Sequence, residues 1–314
     1  MNEKTMKRLG YHRVDVFTDR AFGGNPLAVV PDGRGISDEM MHAISKEFNL
    51  SETTFVLPPT KPGHDFQVRI FTPTAELPMA GHPTIGTTFI LAKEGLVRPD
   101  GKRSMITLEE GVGPIPVTID WESGAPAFIE MQQPLPEFGV VLTEIEEIAA
   151  MLSLEPETIR ATNLPVQVVS CGVPFLYVPL NGLEAIRRIR FRTDVWERAL
   201  RNCGAPDVFA FVAKAETPGS DVHSRMFAPA HGISEDAATG SAAGPLGCYL
   251  VRYSVLASGS ELRCVSEQGI EMGRPSFLHL RIAHEGEEIT AVRVGGQCHY
   301  MGAGYLEIGP DDAD

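Results

Sequence analysis

A chain of 314 residues is long enough for two ordinary domains and can bury a sizeable core. Apolar residues make up 43% and charged residues 22%, a globular composition that excludes a disordered or fibrous chain. The net charge is -14, and no basic cluster exceeds Arg187, Arg188, Arg190 and Arg192, which argues against a nucleic-acid partner.

The opening MNEKTMKRLGYH lacks the apolar core of a secretory signal. No later stretch has the apolar length of a membrane span, so a cytoplasmic protein without a membrane partner is expected. HRVDVFT (12–18) reads as a strand, a Gly-rich turn follows at Phe22 to Asn25, and Pro26 to Val30 is a second strand. Ser37 to Phe48 has helical spacing, with Ser37 as cap and Met40, Met41, Ile44 and Phe48 facing inward, and Asn49 ends it. SETTFVL (51–57) is extended, Phe66 to Phe71 alternates as a strand, and Thr84 to Leu96 is an apolar helix. Met105 to Glu109 and Ile115 to Ile119 are further strands. A second set starts near Ile129: a turn-prone MQQPLPEF, a short helix Ile145 to Leu152, strands Val166 to Ser170 and Phe175 to Pro179, then Ser224 to Phe227. A run from Ala242 to Val251, apolar but for Tyr249, predicts a buried helix capped by Ser241. Cys171, Cys203, Cys248, Cys264 and Cys298 are odd in number and scattered, with no CxxC pair, and read as reduced thiols rather than metal ligands.

The two sets resemble each other. FTPTAELPMAGHPTIG and FAPAHGISEDAATGSAAG share a Phe-x-Pro start and a Glu five residues before a Gly, with Glu76 and Glu235, and Gly81 and Gly240, each 159 apart. Glu109-Glu110-Gly111 and Glu267-Gln268-Gly269 match at 158, and Gly24-Asn25-Pro26 and Gly172-Val173-Pro174 at 148. Four matches in the same order are what a tandem duplication leaves. Two similar domains, each with one buried helix, are expected, their helix starts at His82 and Ser241 facing a cleft. Opposed helix amino ends suit a carboxylate, or negative charge developing on a substrate.

Several residues there could carry chemistry. Glu52 lies in an otherwise uncharged run at a helix exit; it is either a desolvated acid with a raised pKa or a solvated strand end. His82, before Pro83, is either a neutral proton relay, its pKa lowered by the helix end, or a structural cap. Asp236 could orient a substrate ammonium or an imidazole, whereas the symmetric Glu76 and Glu235 read as anchors. Ser241 caps whether or not it touches substrate. There is no P-loop, no nicotinamide fingerprint and no GxSxG elbow, which leaves a cofactor-free proton-transfer enzyme with no metal.

NLSETTFVL, RIFTPTAELPMAGHPTIGT, SRMFAPAHGISEDAATGSAAGPL and EQGIEMGRPS together resemble the PhzF-like isomerase family of phenazine biosynthesis, over nearly the whole chain. The resemblance implies an α+β fold similar to diaminopimelate epimerase: two pseudo-twofold-related domains, each a strongly bent, mostly antiparallel sheet around a central helix. The expected domains are 1–128, completed by a strand near 303–310, and 129–302. The resemblance also implies a site between the domains and a homodimer. The epimerases carry a cysteine before the Gly that starts each central helix; here those places hold Ala80 and Thr239, so a two-thiol racemase is excluded.

The PhzF-like set of glutamate, histidine, aspartate and serine falls on Glu52, His82, Asp236 and Ser241. The implied reaction isomerises trans-2,3-dihydro-3-hydroxyanthranilate: Glu52 takes a proton from C3 and returns one further along the diene, and the resulting enol becomes a ketone. Asp236 and His82 would hold the amine and ring-hydroxyl side. Ser241, with amides around Gly81 and Gly240, would take the carboxylate, and Ser51 lies beside the substrate. His231 stands where an aromatic residue is expected. The alternatives are a non-catalytic small-molecule-binding protein of the same fold and an amino-acid epimerase without thiols.

Overall fold

The computed structural model describes residues 7–200 and 204–309; Cys203 and the first six residues lie outside them. The chain divides into two compact units, Met1–Met131 with Gly296–Asp314, and Gln132–Gly295. The elements begin with β1 (Lys7–Val16), β2 (Asn25–Val30), α1 (Asp38–Phe48), β3 (Glu52–Leu57), β4 (Phe66–Phe71) and β5 (Glu76–Leu77). They continue with α2 (Gly81–Lys93), β6 (Arg103–Glu110), β7 (Gly113–Glu122), β8 (Ala125–Gln133), β9 (Glu137–Leu142), α3 (Ile145–Leu152), α4 (Glu157–Arg160), β10 (Val166–Ser170) and β11 (Pro174–Pro179). Next come α5 (Leu183–Arg187), α6 (Thr193–Ala199), β12 (Asp207–Val212), β13 (Val222–Ala228) and β14 (Ile233–Asp236). The last are α7 (Gly240–Arg252), β15 (Glu261–Gln268), β16 (Ser276–Glu285), β17 (Glu288–Gly296) and β18 (Cys298–Ile308).

In the first unit β18, β1, β2, β3, β4, β6, β7 and β8 pair in that order, with β5 added to β4. In the second, β9, β10, β11, β12, β13, β15, β16 and β17 pair in that order, with β14 added to β13. The same strand order therefore occurs twice. The pairs β2–β3, β4–β6, β11–β12 and β13–β15 are parallel. Parallel neighbours need a crossover, and helices supply each one: α1 and α2 in the first unit, α5 with α6, and α7, in the second.

The two apolar runs become the central helices. Every residue from Gly81 to Ala92 and from Gly240 to Val251 is buried. Helix α2 packs on β1, β2, β3 and β18, and α7 on β10, β11, β15 and β16, so strands from distant parts of each sheet bend onto one helix. The result is a mixed α+β fold of strongly curled sheets. Tyr249, the polar exception, donates its hydroxyl to the Pro165 carbonyl at 2.5 Å. Gly86 lets α2 approach the sheet: a Cβ there would stand 2.7 Å from Leu27 Cδ2 and from Val16 Cγ2.

The repeat extends to polar anchors. Arg69 forms a two-pronged pair with Glu76 at 2.7 Å on each arm, and Arg225 does the same with Glu235 at 2.8 and 2.7 Å. The reading of both glutamates as anchors holds. Glu109 accepts from Thr60, the Lys61 amide and His64, and Glu267 accepts from the Glu216 and Thr217 amides and His223. The basic cluster is matched locally, with Arg187 on Glu216 and Arg192 on Asp194.

Several element boundaries differ from the sequence reading. Helix α2 starts at Gly81 rather than Thr84, because Gly and Pro are tolerated in a first turn whose amides lack intrahelical acceptors. Helix α7 starts at Gly240, so Ser241 is not the cap. Thr239 holds that position, and no side chain caps the helix. The turn-prone MQQPLPEF is mostly strand, with Gln133 ending β8 and Glu137 opening β9. Its prolines occupy only the short link, where no ladder donor is needed. By contrast Ser37 caps α1, accepting from the Met40 amide at 3.2 Å, and Asn49 closes it in the left-handed conformation, as read.

Candidate active site

Three segments of the first unit bring Glu52, His82 and Asn25 together. Glu52 is the first residue of β3, where left-handed Asn49 turns the chain out of α1, and it pairs with Leu27 of the parallel strand β2. Asn25 opens β2, and His82 is the second residue of α2. All three are buried, with Glu52 8% and His82 3% exposed. Asn25 Nδ2 lies 3.1 Å from His82 Nδ1, and His82 Nε2 lies 3.1 Å from Glu52 Oε2. An amide nitrogen only donates, so Nδ1 is the acceptor and the ring hydrogen belongs on Nε2, the nitrogen beside Glu52. That second contact lacks hydrogen-bond alignment, so neither Nε2 nor Oε2 is used up by the other. Burial pushes the imidazole down to about 3. A neutral ring was expected, and burial favours it. Ser51 precedes β3 in a bend.

A different network surrounds Asp236 in the second unit. The Thr239 amide donates to Gln268 Oε1 at 3.1 Å, which fixes the orientation of that carboxamide. Gln268 Nε2 then donates to the Asp236 carbonyl at 2.9 Å and to Thr239 Oγ1 at 3.0 Å. With its oxygen occupied as acceptor, Thr239 directs its one hydroxyl hydrogen to Asp236 Oδ2, 2.6 Å away. The chain of donors thus runs one way, and Asp236 ends β14 as an oriented acceptor. Gly240 opens α7, its carbonyl held by Gln133 Nε2 at 2.9 Å, and Ser241 is the buried second residue.

Gly81 and Gly240 begin α2 and α7, after Ala80 and Thr239. Where the epimerases place thiols, this chain has a methyl group and a hydroxyl already committed to Asp236. His231 sits in a short turn with Nε2 3.5 Å from buried Asp207 Oδ2, and hydrogen bonding with that carboxylate raises its pKa.

The sequence reading missed Asn25, Thr239 and Gln268 as supporting residues. For Asn25 the signal lay in the repeat itself: Gly-Asn-Pro in one copy is Gly-Val-Pro in the other, so the amide serves something beyond the shared turn. For Gln268 it lay in the Glu-Glu-Gly and Glu-Gln-Gly pair.

Comparison with known proteins agrees over the whole length. Residues 14–304 match the PhzC-PhzF family of phenazine biosynthesis-like proteins. An uncharacterized isomerase of Mesorhizobium japonicum is 38% identical, covering 96% of this chain and 100% of that protein. The trans-2,3-dihydro-3-hydroxyanthranilate isomerase of Pseudomonas aeruginosa is 36% identical over 95% of this chain and 97% of its own. The crystal structure of a Bacillus anthracis phenazine biosynthesis protein of the PhzF family superposes with a TM-score of 0.86 at 26% identity, covering 96% of this chain and 99% of that one. This chain belongs to the PhzC-PhzF family of phenazine biosynthesis-like proteins and is an isomerase of the PhzF type.

Proposed function

We propose that this isomerase shifts a proton on trans-2,3-dihydro-3-hydroxyanthranilate or a close analogue, with Glu52 as both base and acid. The observation that carries the reading is the buried Glu52 carboxylate beside a neutral His82 whose ring Asn25 orients. A carboxylate largely out of water is a stronger base than a solvated one, and a neutral imidazole beside it does not neutralise it by ion pairing. Glu52 removes the proton at C3, returns it further along the diene as an acid, and the enol that forms becomes the ketone. Asp236, oriented by Thr239, takes the substrate amine, and His82 the ring hydroxyl side. Ser241 takes the carboxylate with the first-turn amides at Gly81 and Gly240, groups that lack intrahelical acceptors. Ser51 is assigned a place beside the substrate. The relative of that name supports the substrate, and the match of Glu52, His82, Asp236 and Ser241 to the family motifs supports the roles.

Proton transfer by a carboxylate needs no metal or organic cofactor. Dialysis against a strong chelator is therefore expected to leave turnover unchanged; loss restored by a divalent ion would defeat the cofactor-free reading. The central test is incubation of the substrate in deuterium oxide with wild type and Glu52→Gln. Wild type is expected to consume and label the substrate, and the variant to lose at least a hundredfold in rate, the scale of one general acid–base group. No consumption by wild type overturns the substrate. Equal rates overturn the role of Glu52.

A further inference from the structure

The glutamate at the end of β6 is chemically different from its counterpart in the repeat. Glu110 is 5% exposed, and its Oε1 lies 2.5 Å from Thr84 Oγ1 in the first turns of α2. The same threonine oxygen lies 2.6 Å from the Ala80 carbonyl. A hydroxyl has one hydrogen, and a backbone carbonyl can only accept. Two oxygen–oxygen contacts this short each require a hydrogen, so Thr84 donates to Ala80 and the hydrogen between Thr84 and Glu110 comes from the carboxyl group. Glu110 Oε2 has no hydrogen-bond partner among the described residues, a setting tolerable for the carbonyl oxygen of an acid and costly for a carboxylate. In the second unit the matching slot, 158 residues on, holds Gln268, which can never ionise.

We propose that Glu110 is kept as a neutral carboxylic acid at physiological pH, and that by donating to Thr84 it pins the turn of α2 that carries His82. It is a positioning residue, and its relevance to catalysis rests on the role proposed for His82. Burial raises its pKa to about 8. Among the described residues no charged neighbour is paired with Glu110. Lys61, Arg69, Glu76 and Glu109 line the same surface depression as Glu110. Arg69 is engaged by Glu76 and Asp38, and Glu109 by Thr60, the Lys61 amide and His64. On the α2 side His82 is neutral, and the β7 residue opposite Glu110 is Gly113.

The sign of the linkage follows. The unfolded carboxyl ionises near its ordinary 4.5 and the folded one near 8, so the native state holds one proton more across that window. Wild type is expected to lose stability relative to Glu110→Gln as pH rises between those values, by up to tenfold in the folding constant per pH unit. The variant mimics Gln268 and should fold.

The decisive measurements use no substrate. Infrared spectra of carbon-13 glutamate-labelled protein should show a protonated-carboxyl band at pH 7 that disappears toward pH 10 and is missing in Glu110→Gln. The His82 ring resonance, from a group already neutral in this range, should shift with the same midpoint in wild type and stay fixed in the variant. Absence of the band at pH 7 overturns the protonation, on wild type alone. A His82 resonance with the same pH course in both proteins overturns the positioning role. Failure of the deuterium-exchange test would remove the substrate reading and leave these results standing.

Discussion

Arg69 and Arg225 occupy the same place in the two halves and make the same bond, yet their surroundings set different energies. Arg225 is 8% exposed at the side chain and also donates to the Ile186 and Ile189 carbonyls at 3.0 and 3.4 Å, whereas Arg69 is 20% exposed and faces a Glu76 that is 42% exposed. Breaking a buried pair leaves an unpaired charge and costs about 3–5 kcal/mol, while an exposed pair is worth about 1 kcal/mol or less. Arg225→Ala is therefore expected to lower the free energy of unfolding in urea by at least about 2 kcal/mol more than Arg69→Ala. Equal losses would show that burial does not separate them. Glu52 and His82 were legible as candidates because acid and imidazole stood in apolar runs. Asn25 was not, since an Asn in a Gly-rich turn has an ordinary local explanation, and only its 3.1 Å approach to His82 gives it another.

At the scale of elements, the central helices illustrate a conflict between local preference and packing. Alanine is a better helix former than glycine by about 1 kcal/mol, so Gly86→Ala should stabilise an isolated α2. In place, the added methyl would stand 2.7 Å from Leu27 Cδ2 and Val16 Cγ2, both on fully buried residues, and overpacking of this kind costs about 1–3 kcal/mol. We expect a lowered melting temperature for Gly86→Ala and no loss for Gly259→Ala, where nothing lies within 4 Å and the backbone is not left-handed. A stabilised Gly86→Ala would mean the helix shifts freely in its sheet. The helix starts were misread for a related reason: Gly and Pro signal breaks in sequence, but a buried first turn accepts both.

At the scale of the whole molecule, each unit carries a loop fastened through one buried glutamate. Glu109 is held down to about 2, first by the Thr60 hydroxyl, then by His64 and two amides. Glu267 is also lowered: burial would raise it, and the Glu216 and Thr217 amides with His223 outweigh that. Both folded pKa values lie below the ordinary 4.5, so their stabilisation is present above that pH and is lost as pH falls toward the folded values. The stability of wild type to urea should fall on going from pH 4.5 to pH 3, and Glu109→Gln should reduce that slope while lowering stability at pH 6. An unchanged slope would place the acid sensitivity elsewhere. The homodimer implied by the family resemblance is a separate expectation, tested by sedimentation, where a monomer at micromolar concentration would refute it.

The amino-acid sequence by itself determined the repeat, the α+β class and the two buried helices, and it put forward Glu52, His82, Asp236 and Ser241 as candidates. These depend on local pattern: apolar run length, period and the residues at fixed offsets. Tertiary structure alone decided which polar groups surround the candidates. Gln268 orienting Thr239, Asn25 against His82, and Glu110 sharing a hydrogen with Thr84 each join positions 26 to 57 residues apart. Their chemistry follows from exclusion of water and from the count of donors and acceptors in a closed space, quantities that no local stretch of chain contains.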